Sequence, residues 1–127
     1  MNVNRYLYTF IIVVLIALGN CNAQGFINEE NFDDKIAKDI IAIEFWAGWN
    51  SANDVTWVDD LSDCGIKYID IATNTEAQNE YEIVVVPTII IFNGKEVKRF
   101  QADISFAMKA TKKEVQEVID EIIMNSF

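Results

Sequence analysis

Residues 40–53 read Ile-Ile-Ala-Ile-Glu-Phe-Trp-Ala-Gly-Trp-Asn-Ser-Ala-Asn, and no other stretch restricts the possible folds as strongly. The β-branched run 40–45 is apolar almost without alternation, the mark of a strand covered on both faces. Trp46-Ala47-Gly48-Trp49 then leads into a helix expected to start near Asn50. A buried strand thus brings a loop and a helix N-terminus to one place, which becomes the candidate site. Chemistry there ordinarily needs a nucleophile or a metal ligand, and this chain offers Asn50, Ser51, Ala52 and Asn53 instead.

The surrounding pattern builds an α/β domain. Asn28 and the acids after it open a first helix, with Phe32 and Ile36 on one face. After the strand, Val55, Val58 and Leu61 recur among Asp54, Asp59 and Asp60, predicting an amphipathic helix that ends by Cys64-Gly65. Residues 66–72 are β-like, and residues 74–81 form a short polar helix capped by Asn74. This βαβα alternation argues for parallel pairing. Residues 84–92 then predict a strand entered through Pro87, which cannot donate to a sheet ladder and must stand at a strand start or a break. Asn93-Gly94 is a tight-turn signal, so residues 95–100 return as the second arm of a hairpin. Residues 101–110 read as a loop carrying Phe106 and Met108. Thr111-Lys112-Lys113-Glu114 is a capping box, followed by the apolar face of Val115, Val118, Ile119, Ile122 and Ile123.

Residues 1–23 have a different character. Arg5 precedes a predominantly apolar run over residues 7–19, and Asn20-Cys21-Asn22-Ala23 ends in the small residue typical of a cleavage site, the layout of a secretory signal peptide. Thirteen residues fall short of the roughly 20 that cross a bilayer as a helix, so no stable membrane span is expected after cleavage. The expected organisation is a signal peptide over 1–23 and one domain over 24–127, exported to the periplasm or the exterior. An alternative is lipid anchoring through Cys21, since Leu18-Gly19-Asn20-Cys21 is a weak lipobox.

Residues 24–127 carry 20 acidic and 9 basic side chains, a net charge of −11. Such a field repels polyphosphates, which argues against nucleic-acid binding. Signal cleavage leaves a single cysteine, Cys64, and the chain has no histidine. An internal disulfide, a histidine-based triad and a thiolate zinc site are therefore all excluded for the mature chain.

With the short apolar pair Phe26-Ile27 ahead of the first helix, the order β-α-β-α-β-α-β-β-α resembles the thioredoxin family, as do Ile43-Glu44-Phe45-Trp46-Ala47, Trp49, Val86-Pro87-Thr88, Ile91-Phe92-Asn93-Gly94-Lys95 and the capped terminal helix. The resemblance spans about residues 26–123 and implies a thioredoxin-like fold, a central mixed β-sheet flanked by helices on both faces. In thioredoxins Trp-Cys-Gly-Pro-Cys follows Phe-Trp-Ala and one further residue; here Asn50 and Asn53 stand at the two cysteine positions. A helix N-terminus lowers the pKa of the first family cysteine and makes it the attacking thiolate. Asparagine can neither ionise nor form a mixed disulfide. Ser51 keeps a hydroxyl without a base to activate it, so helix capping is its expected role.

Cys64 lies past the far end of the expected helix, more than about 10 Å from the loop at the helical rise of about 1.5 Å per residue, and reads as a small buried hydrophobe. Glu44 matches the buried acid beneath the family's cysteine pair, and burial should raise its pKa. Pro87 matches the family's cis-proline, where the backbone of the preceding residue, here Val86, can pair with an extended peptide. The resemblance therefore implies a redox-inactive domain whose remaining function is a groove formed by Trp46, Trp49, Asn50, Val86 and Pro87. An extended peptide or an envelope protein is its expected partner, and no cofactor or metal is implied. The alternative readings are a thiol-disulfide role through Cys64 with a partner thiol, and a purely structural subunit of an envelope assembly.

Overall fold

The computed structural model describes residues 39–127. The expected signal peptide and first helix lie outside the described residues. Among these residues four strands form one sheet in the order β2-β1-β3-β4, with β1 over Ile40–Trp46, β2 over Gly65–Asp70, β3 over Thr88–Asn93 and β4 over Glu96–Gln101. β1 runs parallel to β2 and antiparallel to β3, and β3 and β4 form the hairpin. Among the described residues two α-helices accompany them, α1 over Thr75–Glu80 and α2 over Lys112–Asn125.

The continuous apolar run of β1 has the expected consequence. Ile41, Ile43 and Phe45 enter a core with Ile90 and Phe92 of β3 on one face, which Ala77 of α1, Ile83 and Val86 cover. Ala42 enters a second core with Ile89 and Ile91 on the other face, covered by Val58, Leu61, and Val115 and Ile119 of α2. Strand side chains alternate between faces, so only a doubly covered strand can bury both sets.

Local signals explain the ends of these elements. Asn74 accepts from the Ala77 amide at 3.0 Å, and Thr111 Oγ1 accepts from the Glu114 amide at 3.2 Å, each satisfying a helix donor that lacks an intrahelical partner. Gly94 has φ 80°, a left-handed conformation that glycine adopts without steric cost, and it closes the hairpin turn with Lys95.

The segment between β1 and β2 departs from the expected α-helix. It forms two short 3₁₀ turns, Gly48–Asn53 and Val58–Asp60. Two physical reasons apply. Asn50, Ser51, Asn53 and Asp54 compete for backbone hydrogen bonds, and Val55-Thr56 is β-branched. A strict three-residue spacing of Val55, Val58 and Leu61 also drifts off an α-helical face, whereas it matches the three-residue period of a 3₁₀ turn. All three side chains still reach the second core.

Strand limits shift as well. β2 stops at Asp70, where Asp70 Oδ1 accepts from the Ala72 amide at 2.9 Å and turns the chain. β3 begins at Thr88, so Val84, Val85 and Val86 lie before the strand and Val84 is 81 % exposed. The Val86–Pro87 peptide bond is cis, and Pro87 stands at the strand entrance, where its missing N–H interrupts no ladder. Arg99 of β4 holds this approach in place, donating to the carbonyls of Tyr81 at 2.8 Å and Glu82 at 3.0 Å.

Candidate functional site

The C-terminal end of β1 hands the chain through Ala47 into the first 3₁₀ turn, where the Asn50 amide donates to the Ala47 carbonyl at 3.0 Å. Asn50 is 9 % exposed. Its Nδ2 donates to the carbonyls of Val86 at 3.3 Å and Phe106 at 3.1 Å, while its Oδ1 accepts from Asn53 Nδ2 at 2.9 Å. Both amide hydrogens and the carbonyl oxygen are engaged. One side chain therefore ties together the 3₁₀ turn, the cis-proline approach and the loop after β4.

Trp49 is 64 % exposed, and its ring meets Phe106 edge-on, with centroids 5.2 Å apart at 90°. Of the five residues expected to form the groove, Trp49 alone presents a large free face. Trp46 is half-buried, and Asn50, Val86 and Pro87 are buried. The Val86 carbonyl, expected to face an extended peptide, is taken by Asn50. Phe106 has φ 64°, a left-handed conformation that costs a non-glycine residue roughly 1–2 kcal/mol. The loop that carries it gave only a weak sequence signal, Phe106 and Met108 in a stretch without helical or strand periodicity.

Glu44 is 5 % exposed in the middle of β1, opposite Tyr68 of β2 and Ile89 of β3. Burial pushes its carboxyl up to about 7, and the charges of Asp54 and Asp59 add to the rise. Asp59 accepts from the Tyr68 hydroxyl. A carboxyl of this kind can hold or release a proton near neutrality, but the neighbouring turn supplies no thiol or thiolate with which to exchange one.

Cys64 is half-buried against the second core. The register of the parallel pair places it at the other end of the sheet, because Gly65 lies beside Ile41 while Asp70 lies beside Trp46. Six residues of strand at about 3.3 Å each put roughly 20 Å between the thiol and the candidate site. Burial, and secondarily Asp63, push the Cys64 thiol up to about 11. At pH 8 the thiolate is then on the order of a thousandth of the population, so disulfide-exchange labelling of the native protein should run roughly 100-fold slower than that of an unstructured thiol and reach the ordinary rate in denaturant. Equal rates in both conditions would mean that Cys64 is an open, reactive thiol.

Among the described residues no cluster of histidine, cysteine, aspartate and glutamate could hold a metal ion, and no helix is long and apolar enough to cross a membrane. A cleft of ≈ 230 Å³ adjoins the site, between residues 53–57 and Ala107-Met108. The arrangement can present an aromatic surface and an ordered backbone, and its carboxamides have no route to thiol exchange.

No protein-family profile matches the chain. A thioredoxin from Chlamydia trachomatis serovar D is 32 % identical over 80 residues, covering 58 % of this chain and 78 % of that protein. Among solved structures, a thioredoxin variant from Halobacterium salinarum superposes with a TM-score of 0.58 at 18 % identity, covering 76 % of this chain and 87 % of the other. The thioredoxin of Fasciola hepatica superposes with a TM-score of 0.54 at 24 % identity, covering 72 % and 88 %. The structural likenesses carry the fold, and the sequence relationship carries descent: this chain, with its mixed sheet, belongs to the thioredoxin family.

Proposed function

We propose that this protein is an exported, redox-silent thioredoxin-like domain that works as a peptide- or protein-binding module. The observation that carries the reading is the Asn50 carboxamide. By the family resemblance it stands where the attacking thiol would be, and both of its amide hydrogens and its oxygen go into holding three segments together. A side chain so engaged is structural, and it leaves Trp49 as the projecting element of the turn. Exposed tryptophans flanked by a second aromatic are effective contact anchors, because they bury a large area with little loss of rotamer freedom. Export rests on the composition of residues 1–23, and a peptide or an envelope protein is the partner consistent with it.

Two measurements test this reading together. Insulin reduction by the mature protein should stay at the uncatalysed background, and capture of proteins from an envelope extract should fall at least several-fold in Trp49→Ala. Turnover comparable to a thioredoxin would sink the first half of the proposal. Equal capture by a folded Trp49→Ala protein would sink the second.

A further inference from the structure

The loop between β4 and α2 folds back onto the candidate site, and Asp103 shapes it. Asp103 Oδ1 accepts from the Ser105 amide at 2.8 Å, the Ser105 hydroxyl at 2.6 Å and the Ala107 amide at 3.2 Å, and Oδ2 pairs with Lys109 Nζ at 3.3 Å. Two backbone bonds close the same turn, Asp103 amide to Ala107 carbonyl and Phe106 amide to Asp103 carbonyl, both at 3.0 Å. The Ser105 hydroxyl first, and the Ala107 amide next, hold the Asp103 carboxyl down at about 2, so this latch is ionised at every physiological pH.

The turn presents Phe106 to the site with a strained backbone, its ring edge on Trp49 and its carbonyl on Asn50 Nδ2. The other hydrogen of that amide is on the Val86 carbonyl. An extended segment using this groove needs the Trp49 face and free backbone groups beside Val86. The loop already supplies an aromatic ring to Trp49 and a backbone carbonyl to the Asn50 amide that also holds Val86. It also has natural limits to motion: the Ala102 amide is tied to the Pro87 carbonyl at 3.0 Å, and Met108 packs on the second core. Between these anchors the strap is held at the surface, with Phe106 40 % and Ile104 100 % exposed.

We propose that residues 103–107 are an intramolecular occupant of the groove, a strap that must leave Trp49 and Asn50 before an extended partner segment takes its place. The inference rests on the binding reading given above and adds a regulatory step to it. A site that is open only part of the time binds with its intrinsic affinity reduced by the open fraction, so unlatching the strap raises apparent affinity without any new contact.

The test uses the full chain and, as a probe, a blocked synthetic peptide with the sequence of residues 102–109, Ala-Asp-Ile-Ser-Phe-Ala-Met-Lys, titrated while the Trp49 indole resonance is followed by NMR. Asp103→Ala removes the latch. Phe106→Gly removes the ring at a position where glycine adopts the left-handed backbone freely, so the turn itself survives. Both variants should bind the probe at least tenfold more tightly than the native chain, and a probe with its phenylalanine changed to alanine should lose this binding. Equal affinity for all three proteins, or no binding to any of them, overturns the strap; if Asp103→Ala does not fold, Phe106→Gly decides alone. Extract capture that depends on Trp49, combined with probe affinities indifferent to the strap, would remove the strap and leave the binding module. Strap-dependent probe binding with capture indifferent to Trp49 would keep the strap and remove the partner reading.

Discussion

Replacing Asn50 with alanine should lower stability by roughly 2–4 kcal/mol, because three partners lose their hydrogen bonds, the Val86 carbonyl in a buried position and the other two in partly buried ones. The Val86 carbonyl loses its 3.3 Å donor, the Phe106 carbonyl its 3.1 Å donor and Asn53 Nδ2 its 2.9 Å acceptor. Leaving a buried polar group unpaired costs more than the net worth of the bond, which is why the loss exceeds the sum for exposed pairs. For a domain of about 100 residues this corresponds to a fall in melting temperature of about 10 °C or more. Asn53→Ala is the control. Asn53 is exposed and contributes one bond, so its replacement should cost about 1 kcal/mol or less. Asn50→Asp should be worse than Asn50→Ala at neutral pH, since it places a carboxylate against two carbonyl oxygens, and should recover in acid as that carboxylate is protonated. Urea unfolding of the four proteins measures the order directly; a loss under 0.5 kcal/mol for Asn50→Ala, roughly the scale of an inconsequential surface change, would show that the carboxamide does not hold the three segments.

Glu44→Gln should stabilise the protein above neutrality by roughly 2–3 kcal/mol and change it little near pH 5. The sign follows from the proton balance. The folded-state value is about 7 and the reference value 4.5, so between these values the folded chain holds a proton that the unfolded chain has released. Stability therefore falls as pH rises from 4.5, and the loss is complete above about 7. Burial is the main cause, with Asp54 and then Asp59 adding repulsion to the ionised form. Glutamine keeps the shape and cannot ionise, so it removes the high-pH penalty only. The difference in unfolding free energy between the two proteins, followed from pH 4 to 9, isolates this group from every other titration. A difference that stays constant across that range would mean that Glu44 ionises as an ordinary surface acid.

Much of the fold was legible in the chain because it depended on local or strongly periodic signals. The β1 run announced double coverage, and Ile41, Ile43 and Phe45 do oppose Ala42 across the sheet. Asn93-Gly94 marked the hairpin, while Asn74 and Thr111 marked two helix starts. The stretch after Trp49 reads as an α-helix in the sequence and folds as two 3₁₀ turns, because a spacing of three between apolar residues does not distinguish a short helix from successive 3₁₀ turns. The strand expected from Val84 instead begins at Thr88, since a proline removes the donor a ladder needs.

By itself, then, the sequence determined the four strands of the described sheet, two helix caps and the absence of any thiol from the turn after β1. These follow from residue type and from spacing within a few positions. Only the tertiary structure decided what Asn50 does, because its carbonyl partners are 36 and 56 residues away in the chain. The same holds for the meeting of Trp49 with Phe106 and for the separation of Cys64 from the turn after β1. A side-chain amide can bond to any carbonyl that the fold brings within reach, and no local pattern records which one that is. Asn50 reads in the sequence as a missing cysteine; in the folded chain it is the hydrogen-bonded hub of three loops.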